Sequence, residues 1–379
     1  MTPPLQATSA PTWLDRGKIP SLDGLRGIAV LLVLIAHAHN TTGFPVVSGQ
    51  IHAVLGWGRI GVDLFFVISG FLITTLMLRE FERSGSVSIS LFYSRRFLRI
   101  VPAYAMFLLS VAVLQMSGLA MLTNADWISA LTYTVNFHYP HSREIGHVWS
   151  LSVEEHFYLI WPILLVFCKP SAIPAITIGA VAGCFTLRTV LLLGGGPISF
   201  KFRYCTFTRL DTIAIGCLLA SLAWRPVWRA QLDRFCRNWW ALLVLTSSLL
   251  VVQLMSLLSY RLRMTVVFPM RAVVLSLLLW TVINRKTGLV NRLLNNRLLM
   301  KLGILSYSLY LWQQLFLYPH ATGWLRMFPL NIGGACLAAI VSYQFIETPF
   351  LRLKQRYSSS AKSHEPRLQM EQMARETPN

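Results

Sequence analysis

Long apolar stretches alternate with short polar ones along the chain, and each apolar stretch is long enough to cross a bilayer. A membrane-spanning helix needs about 20 mainly apolar residues, and this length predicts ten spans. They lie near residues 22–41, 52–78, 101–120, 148–168, 171–193, 208–224, 239–258, 264–284, 300–319 and 329–350. The pattern therefore predicts an all-α, polytopic integral membrane helical bundle.

The positions of the lysines and arginines give this bundle an orientation. With the N-terminus inside, most of these cations fall in the inner connections and tails, as the positive-inside rule requires. One span more or fewer would break this pattern, so we expect both termini to be cytoplasmic. We expect residues 1–20 to form a cytoplasmic segment, 21–352 the transmembrane domain and 353–379 a disordered cytoplasmic tail.

Composition supports a lipid environment and argues against both a nucleic-acid-binding protein and a fold stabilised by metal or disulfides. The 379 residues are 54% hydrophobic and 13% charged, whereas soluble domains carry roughly 25% charged residues. The net charge of +19 is explained by cations beside the spans, which attract anionic lipid, so we expect no nucleic-acid partner. The six cysteines show no CxxC pair or His-x-Cys cluster, so we expect neither a metal site nor a disulfide framework.

Ionisable residues inside the predicted spans are the candidates for chemistry, because such groups are costly in lipid unless they face the bundle interior. Arg26 and His37 are 11 residues apart, which places them on one helix face about 16 Å apart. Asp63 lies in the outer part of the second span, and Glu154 enters the fourth span from outside. We therefore expect His37 and a carboxylate to share one polar pocket, although helix packing or interfacial snorkelling would explain each residue singly.

A histidine beside a carboxylate suits proton transfer. The imidazole can accept the proton of an attacking hydroxyl, and Glu154 or Asp63 would orient it. A proton-coupled secondary transporter would use the same residue types, although we find no inverted repeat of the transporter kind. Glu155, His156, Arg188 and Asp211 stay unassigned.

A second candidate site is the basic cluster formed by Arg95, Arg96 and Arg99. Guanidinium groups bind phosphates in bidentate fashion, and the cluster lies on the predicted cytoplasmic side, where coenzyme A is found. Anchoring of the third span by the positive-inside rule would also explain these arginines.

Six sequence blocks occur in a fixed order along the chain. They are Leu22–Ala29 with His37, Gly61–Leu72, Arg95–Pro102, Trp149–Tyr158, Gly303–Trp312 and Ile346–Pro349. With these blocks the chain resembles the integral-membrane acyltransferase-3 family from about Ser21 to Leu351. Each block is weak alone, but the ordered set is specific.

The resemblance implies a bacterial inner-membrane enzyme that moves an acyl group, usually acetyl, from cytosolic acetyl-CoA to an acceptor hydroxyl. It implies no metal. His37 matches the family's essential histidine, Arg26 its paired basic residue, and Arg96 with Arg99 its donor motif. Other characteristic positions are occupied by Asp63, Ser69, Glu154, Tyr307 and Glu347.

The resemblance also sets expectations for the acceptor. An exported glycan is favoured, such as an exopolysaccharide, an O-antigen or a lipid-linked oligosaccharide, with a small hydroxylated molecule such as a macrolide as the alternative. Many relatives have histidine after the Tyr-Leu-Trp of the ninth span, where this chain has Gln313. A second catalytic histidine at that position is therefore not expected.

Overall fold

The computed structural model describes residue 19 and residues 21–194, 200–317 and 323–353, and these residues form helices and no strand. The predicted all-α bundle is confirmed. The predicted N-terminal segment and tail lie almost entirely outside the described residues. The helices are α1 (Leu22–Ala38), α2 (Gly49–Leu55), α3 (Ile60–Ser84), α4 (Ile89–Met116), α5 (Asn124–Leu131), α6 (Trp149–Phe167), α7 (Ile173–Leu193), α8 (Phe200–Arg203), α9 (Thr206–Ala223), α10 (Pro226–Arg237), α11 (Trp239–Leu258), α12 (Tyr260–Leu262), α13 (Phe268–Asn284), α14 (Leu289–Leu294), α15 (Arg297–Ile304), α16 (Ser306–Trp312) and α17 (Leu330–Ser342).

Eight helical segments of the described chain are long and apolar enough to cross a membrane. They are Gly49–Ser84, Ile89–Met116, Gly146–Phe167, Pro170–Leu193, Thr206–Ala223, Trp239–Leu258, Tyr260–Asn284 and Leu330–Leu353. Each overlaps one of the ten predicted spans. The chain is therefore a multi-pass membrane protein.

The other two predicted spans correspond to shorter helices. The predicted span 22–41 is α1, which has 17 residues. The predicted span 300–319 is divided between α15 and α16, with Leu305 at the junction. Since α1 packs along α15, both belong to the bundle, and the total of ten spans stays a prediction.

Two π-helical segments interrupt the regular helices. Arg263–Val267 joins α12 to α13, and Tyr343–Glu347 follows α17. Short π-helical segments occur frequently at functional sites. The first of these segments contains Arg263 and the second contains Glu347.

Helix α4 begins twelve residues before the third predicted span. Helix α4 begins at Ile89, where the Ser88 hydroxyl accepts a hydrogen bond from the Leu91 backbone N–H at 3.4 Å. Arg96 and Arg99 therefore lie within the helix rather than in a connection. An apolar-stretch criterion stops at charged residues, whereas a helix continues when those charges face a polar cavity.

Glycines let the two central helices α3 and α9 approach closely. A Cβ atom at Gly70 would overlap the backbone oxygen of Ile213, and one at Gly216 would overlap that of Val67. Small residues at such crossings allow backbones to pack directly, which stabilises helix association in membranes. The contact is reciprocal, so each helix supplies one glycine to the other.

Replacing Gly70 by Val is expected to force α3 and α9 apart and to lower the thermal stability of the detergent-solubilised protein, because overpacking costs about 1–3 kcal/mol. The measurement is the midpoint of loss of the monodisperse peak in size-exclusion chromatography after heating. The matched control is Gly183→Val, since a Cβ atom at Gly183 meets nothing within 4 Å. Equal stability of the two variants would contradict the close-contact role of Gly70.

Candidate active site

A polar cavity of about 80 Å³ lies inside the bundle between α1, α3, α4, α6 and α16. Its polar and charged lining residues are Arg26, Ser69, Arg96, Arg99, Ser150, Glu154, Glu155, Tyr158, Ser306, Tyr307 and Tyr310. The volume holds several water molecules or a small acyl group. Three guanidinium groups face two carboxyl groups here, so the cavity favours an anionic ligand.

A hydrogen-bonded group on α3 and α6 fixes one wall of the cavity. The Ser69 hydroxyl donates to Glu154 Oε1 at 2.8 Å and lies 3.0 Å from the Tyr158 hydroxyl. The Tyr158 hydroxyl also donates to Glu154 Oε2 at 3.4 Å. The guanidinium of Arg96 stands over the Tyr158 ring, 4.9 Å from its centroid. The cation–π contact and these hydrogen bonds hold the basic side chain beside the carboxylate.

Arg26 brings a second guanidinium to the same wall from α1. Its charge is attracted by Glu154 and repelled by Arg99, so the charges of these three residues interact. The Nε atom of Arg26 is buried without a hydrogen-bond partner among the described residues. A buried N–H of this kind is available to a ligand oxygen.

The predicted basic cluster is divided by the structure. Arg96 and Arg99 line the cavity, whereas Arg95 does not. The side chain of Arg95 is 36% exposed and lies 3.9 Å from Glu80, so it forms a surface ion pair of small energetic value. Arg96 and Arg99 thus reach the cavity, whereas the side chain of Arg95 reaches Glu80.

Hydrogen bonds at Tyr307 and Glu347 join α16 to α4 and to the second π-helical segment. The Tyr307 hydroxyl donates to the Ile100 backbone oxygen at 2.9 Å, and Ser308 donates to the Glu347 carboxylate. Glu347 is buried in the second π-helical segment and interacts electrostatically with Arg99. The carboxylate charge thus acts on a cavity arginine.

His37 lies about 16 Å further along α1 than Arg26, since eleven residues of an unbroken helix separate them. It does not line the cavity described above. Its Nδ1 atom is 2.9 Å from the Val33 backbone oxygen, and a carbonyl oxygen can only accept. Nδ1 therefore donates, and a neutral His37 carries its basic lone pair on Nε2.

His147 is the polar neighbour of His37 that the sequence reasoning missed. The two imidazoles interact electrostatically. The Nε2 atom of His147 donates to the Leu311 backbone oxygen at 3.0 Å, and its Nδ1 atom is buried without a partner among the described residues. Its position just before the Trp149–Tyr158 block could have marked it as a candidate from the sequence. Its hydrogen bond to the Leu311 carbonyl on α16 could not have been predicted.

Tyr310 links the His37 region to the cavity. Its hydroxyl lies 2.5 Å from the Ser150 hydroxyl and donates to the His147 backbone oxygen at 3.0 Å. Both Tyr310 and Ser150 line the cavity, and the Tyr310 ring centroid is 5.6 Å from that of His147. Polar groups therefore continue from the arginine-rich wall towards the catalytic candidate His37.

The expectation that Asp63 orients His37 is wrong. Asp63 is buried and forms ion pairs with Arg209 and with Arg271, the latter at 2.5 Å. Arg271 also donates to Gln253 Oε1 at 3.1 Å. The carboxylate charge is therefore committed to two guanidinium groups on α9 and α13. Opposite charges at membrane depth pair with each other where the bundle allows it.

Glu154 does not orient His37 either, because its oxygens are bonded to Ser69 and Tyr158. The single pocket expected for His37 and the carboxylates is replaced by two regions joined by Tyr310. Arg188, unassigned from the sequence, pairs with Asp211 at 2.6 Å and donates to the Thr208 backbone oxygen.

The described residues contain no group of three or more His, Cys, Asp or Glu side chains that could hold a metal ion. The candidate site consists instead of an imidazole, a tyrosine link and a cavity with three guanidinium groups inside a membrane bundle. These features define a membrane protein with an arginine-lined internal cavity and a nearby imidazole.

Comparison with known proteins gives the family. The sequence model of the acyltransferase-3 domain, described as an acyltransferase domain, matches residues 19–345. The chain therefore belongs to this family of membrane acyltransferases, as its sequence blocks predicted. No solved structure matches the chain.

Two relatives illustrate the similarity. The chain is 29% identical over 373 residues to the peptidoglycan O-acetyltransferase OatA of Listeria monocytogenes, which covers 89% of this chain and 56% of the relative. It is 28% identical over 371 residues to the O-acetyltransferase OatA of Staphylococcus aureus, with 87% and 57% covered. The chain thus spans a little over half the length of these relatives.

The substitution Asp63→Asn tests the structural role of Asp63. It is expected to lower the thermal stability of the solubilised protein strongly, since removing one partner of a buried ion pair costs about 3–5 kcal/mol. The unfolding midpoint is measured by size-exclusion chromatography after heating. Glu80→Gln is the control and should change the midpoint little. It removes the carboxylate charge 3.9 Å from the partly exposed Arg95 and keeps an oxygen that can accept the hydrogen bond from the Ser88 N–H.

If Asp63→Asn retained wild-type stability while losing activity, Asp63 would be catalytic after all. That result would contradict its assignment to the ion-pair network with Arg209 and Arg271.

Proposed function

We propose that this protein is a membrane O-acetyltransferase that moves an acetyl group from acetyl-CoA to a hydroxyl of an exported glycan. One observation carries the proposal. In a chain of the acyltransferase family, a single helix, α1, holds an arginine of an anion-favouring cavity near its start and a histidine with a basic Nε2 atom near its end. Family membership and the names of the relatives support acetyl transfer.

The cavity arginines are assigned to the donor. Arg96 and Arg99 would bind phosphate oxygens of coenzyme A, with Arg95 contributing to attraction from the surface. The extended pantetheine arm would then run along α1 and deliver the thioester towards His37. This arrangement agrees with the predicted orientation, in which the start of α1 faces the cytoplasm.

The reaction requires one proton transfer and one acyl transfer. His37 Nε2 accepts the proton of the acceptor hydroxyl while the hydroxyl oxygen attacks the thioester carbonyl. The carbon–sulfur bond breaks, an oxygen ester forms, and the thiolate of coenzyme A leaves and takes up a proton. In the alternative sequence, His37 Nε2 attacks the thioester first and carries the acetyl group before passing it to the hydroxyl. The Val33 carbonyl fixes the imidazole tautomer in both sequences.

The acceptor is assigned by class. An acetyl-accepting hydroxyl near the end of α1 is on the predicted outer side, where exported glycans and lipid-linked oligosaccharides are found. The listerial relative is named a peptidoglycan O-acetyltransferase, which supports a glycan acceptor. On this proposal the protein resides in the bacterial cytoplasmic membrane.

The proposal predicts that His37→Gln abolishes transfer of radiolabelled acetyl from acetyl-CoA to the surface glycans of expressing cells. Loss of a general base lowers the rate by about 10²–10⁴-fold. Label in the glycan fraction is compared for wild type and variant at equal protein amounts. The matched control is His39→Gln, because His39 lies at the end of the same helix and its Nδ1 atom is likewise bonded to a backbone oxygen, that of Ile35, at 3.2 Å.

Label transfer that survives His37→Gln would remove His37 from the chemistry. Absence of label transfer by the wild-type protein would reject acetyl-CoA or a surface glycan as the substrates. A loss in His39→Gln equal to that in His37→Gln would show that the helix end, not the catalytic nitrogen, is sensitive.

A further inference from the structure

Three arginines that the proposed mechanism does not use meet at the side of the bundle where α1 ends. Arg59 ends the 3-10 turn Gly56–Arg59, Arg203 ends α8, and Arg263 begins the first π-helical segment. These three residues are called the outer arginine cluster. Helix α3 begins directly after Arg59, so the cluster shares the side of the bundle on which α1 ends.

Two members of the cluster, Arg203 and Arg263, contact the same aromatic ring. The guanidinium groups of Arg203 and Arg263 lie 5.3 and 5.2 Å from the centroid of the same ring, that of Tyr260. The charges of Arg59 and Arg203 both repel that of Arg263. Within the described chain, neither Arg59 nor Arg263 takes part in an ion pair.

Arg263 also has an unused donor. Its Nε atom is buried and has no hydrogen-bond partner among the described residues. Like charges gathered in this way are unfavourable unless an anion lies between them. Anchoring by the positive-inside rule does not explain them, since the cluster lies on the predicted outer side, where cations are depleted.

The cluster neighbours the catalytic candidate. The 3-10 turn carrying Arg59 packs directly on α1, because Gly58 has no side chain and a Cβ atom there would overlap the Leu32 backbone oxygen. The charge of Arg59 acts on His37. On the other side, the Tyr204 ring that follows Arg203 lies 4.5 Å from the Trp149 ring, which gives an aromatic surface of the kind that packs against a sugar ring.

We propose that the outer arginine cluster binds the anionic group of the acceptor, a phosphate or carboxylate carried by a glycan, and so holds a hydroxyl of that glycan beside His37. The inference rests on the proposed function for the identity of the acceptor. It adds a substrate class: the acceptor is an acidic or phosphorylated glycan, and a neutral glycan binds more weakly.

The test measures binding to the full-length protein in nanodiscs of phosphatidylcholine. The probes are a tetrasaccharide of β-1,4-linked N-acetylglucosamine and the same tetrasaccharide carrying a terminal phosphate monoester. The wild type should bind the phosphorylated probe about 10-fold more tightly, as charge-assisted hydrogen bonds to two or three arginines require. Arg263→Gln and Arg59→Gln should each reduce this preference to about twofold or less.

The matched control is Arg261→Gln, which removes an exposed arginine two residues from Arg263 and should leave the preference intact. Equal binding of the two probes by the wild type, or an equal loss in Arg261→Gln, would overturn the inference. Repeating the titration in phosphatidylglycerol nanodiscs separates the two sources of phosphate. Loss of the wild-type preference there would assign the cluster to lipid headgroups and also overturn the inference.

Failure of the proposed function has a different signature. His37→Gln should lose acetyl transfer and retain the tenfold binding preference. A wild-type protein that prefers the phosphorylated probe but transfers no acetyl group would contradict the proposed reaction and leave the anion site standing.

Discussion

Ion pairs between buried side chains join the helices of the bundle. An ionised group within a bilayer is costly unless it meets an opposite charge or a wet cavity. Asp63 meets this condition through Arg209 and Arg271, and Arg188 meets it through Asp211. These ion pairs connect α3, α7, α9 and α13, so they fix the scaffold against which the catalytic helices pack.

A second group of charged side chains lines the cavity. Arg26, Arg96 and Arg99 face Glu154 and Glu155 without forming an ion pair shorter than 4.0 Å among the described residues. Their charges are therefore available to a substrate. The ionisable residues at membrane depth therefore form two groups. One group pairs internally and joins helices, and the other lines the cavity. On the proposed function, donor binding near the start of α1 and proton transfer near its end are separate tasks assigned to separate residues.

The sequence predicted the class of fold and the depth of the polar residues, because apolar length and helix periodicity are local properties. It could not predict which helices become neighbours. Asp63 was assigned to His37 because both lie in the outer half of a span, yet its partner Arg209 lies 146 positions away on α9. The depth of a residue in the membrane does not determine how its helix is rotated or which helices lie beside it. Rotation and neighbours decide which charges pair.

The same limitation explains the residues that were missed. Tyr310 lies inside a sequence block that was recognised, but only the packing of α16 against α6 places its hydroxyl beside Ser150. Gln313 occupies the position at which many relatives have histidine. It is fully buried, and neither of its amide atoms has a partner among the described residues. The imidazole that interacts with His37 is that of His147. Its position beside the Trp149–Tyr158 block was a signal in the sequence, but its interaction with His37 depends on how the helices pack.

On the proposed function, the arginines of the cavity bind the phosphate end of the donor while His37 acts on the thioester. The most direct test compares acetyl-CoA with S-acetylpantetheine, which keeps the thioester and lacks the nucleotide and its phosphates. Acetyl transfer is measured for the wild type, Arg96→Gln, Arg99→Gln and His37→Gln with both donors. We expect the arginine variants to lose the preference for acetyl-CoA but to use S-acetylpantetheine at the wild-type rate, whereas His37→Gln should use neither donor. Arginine variants that lose both donors equally, or a His37 variant that still uses S-acetylpantetheine, would contradict this assignment.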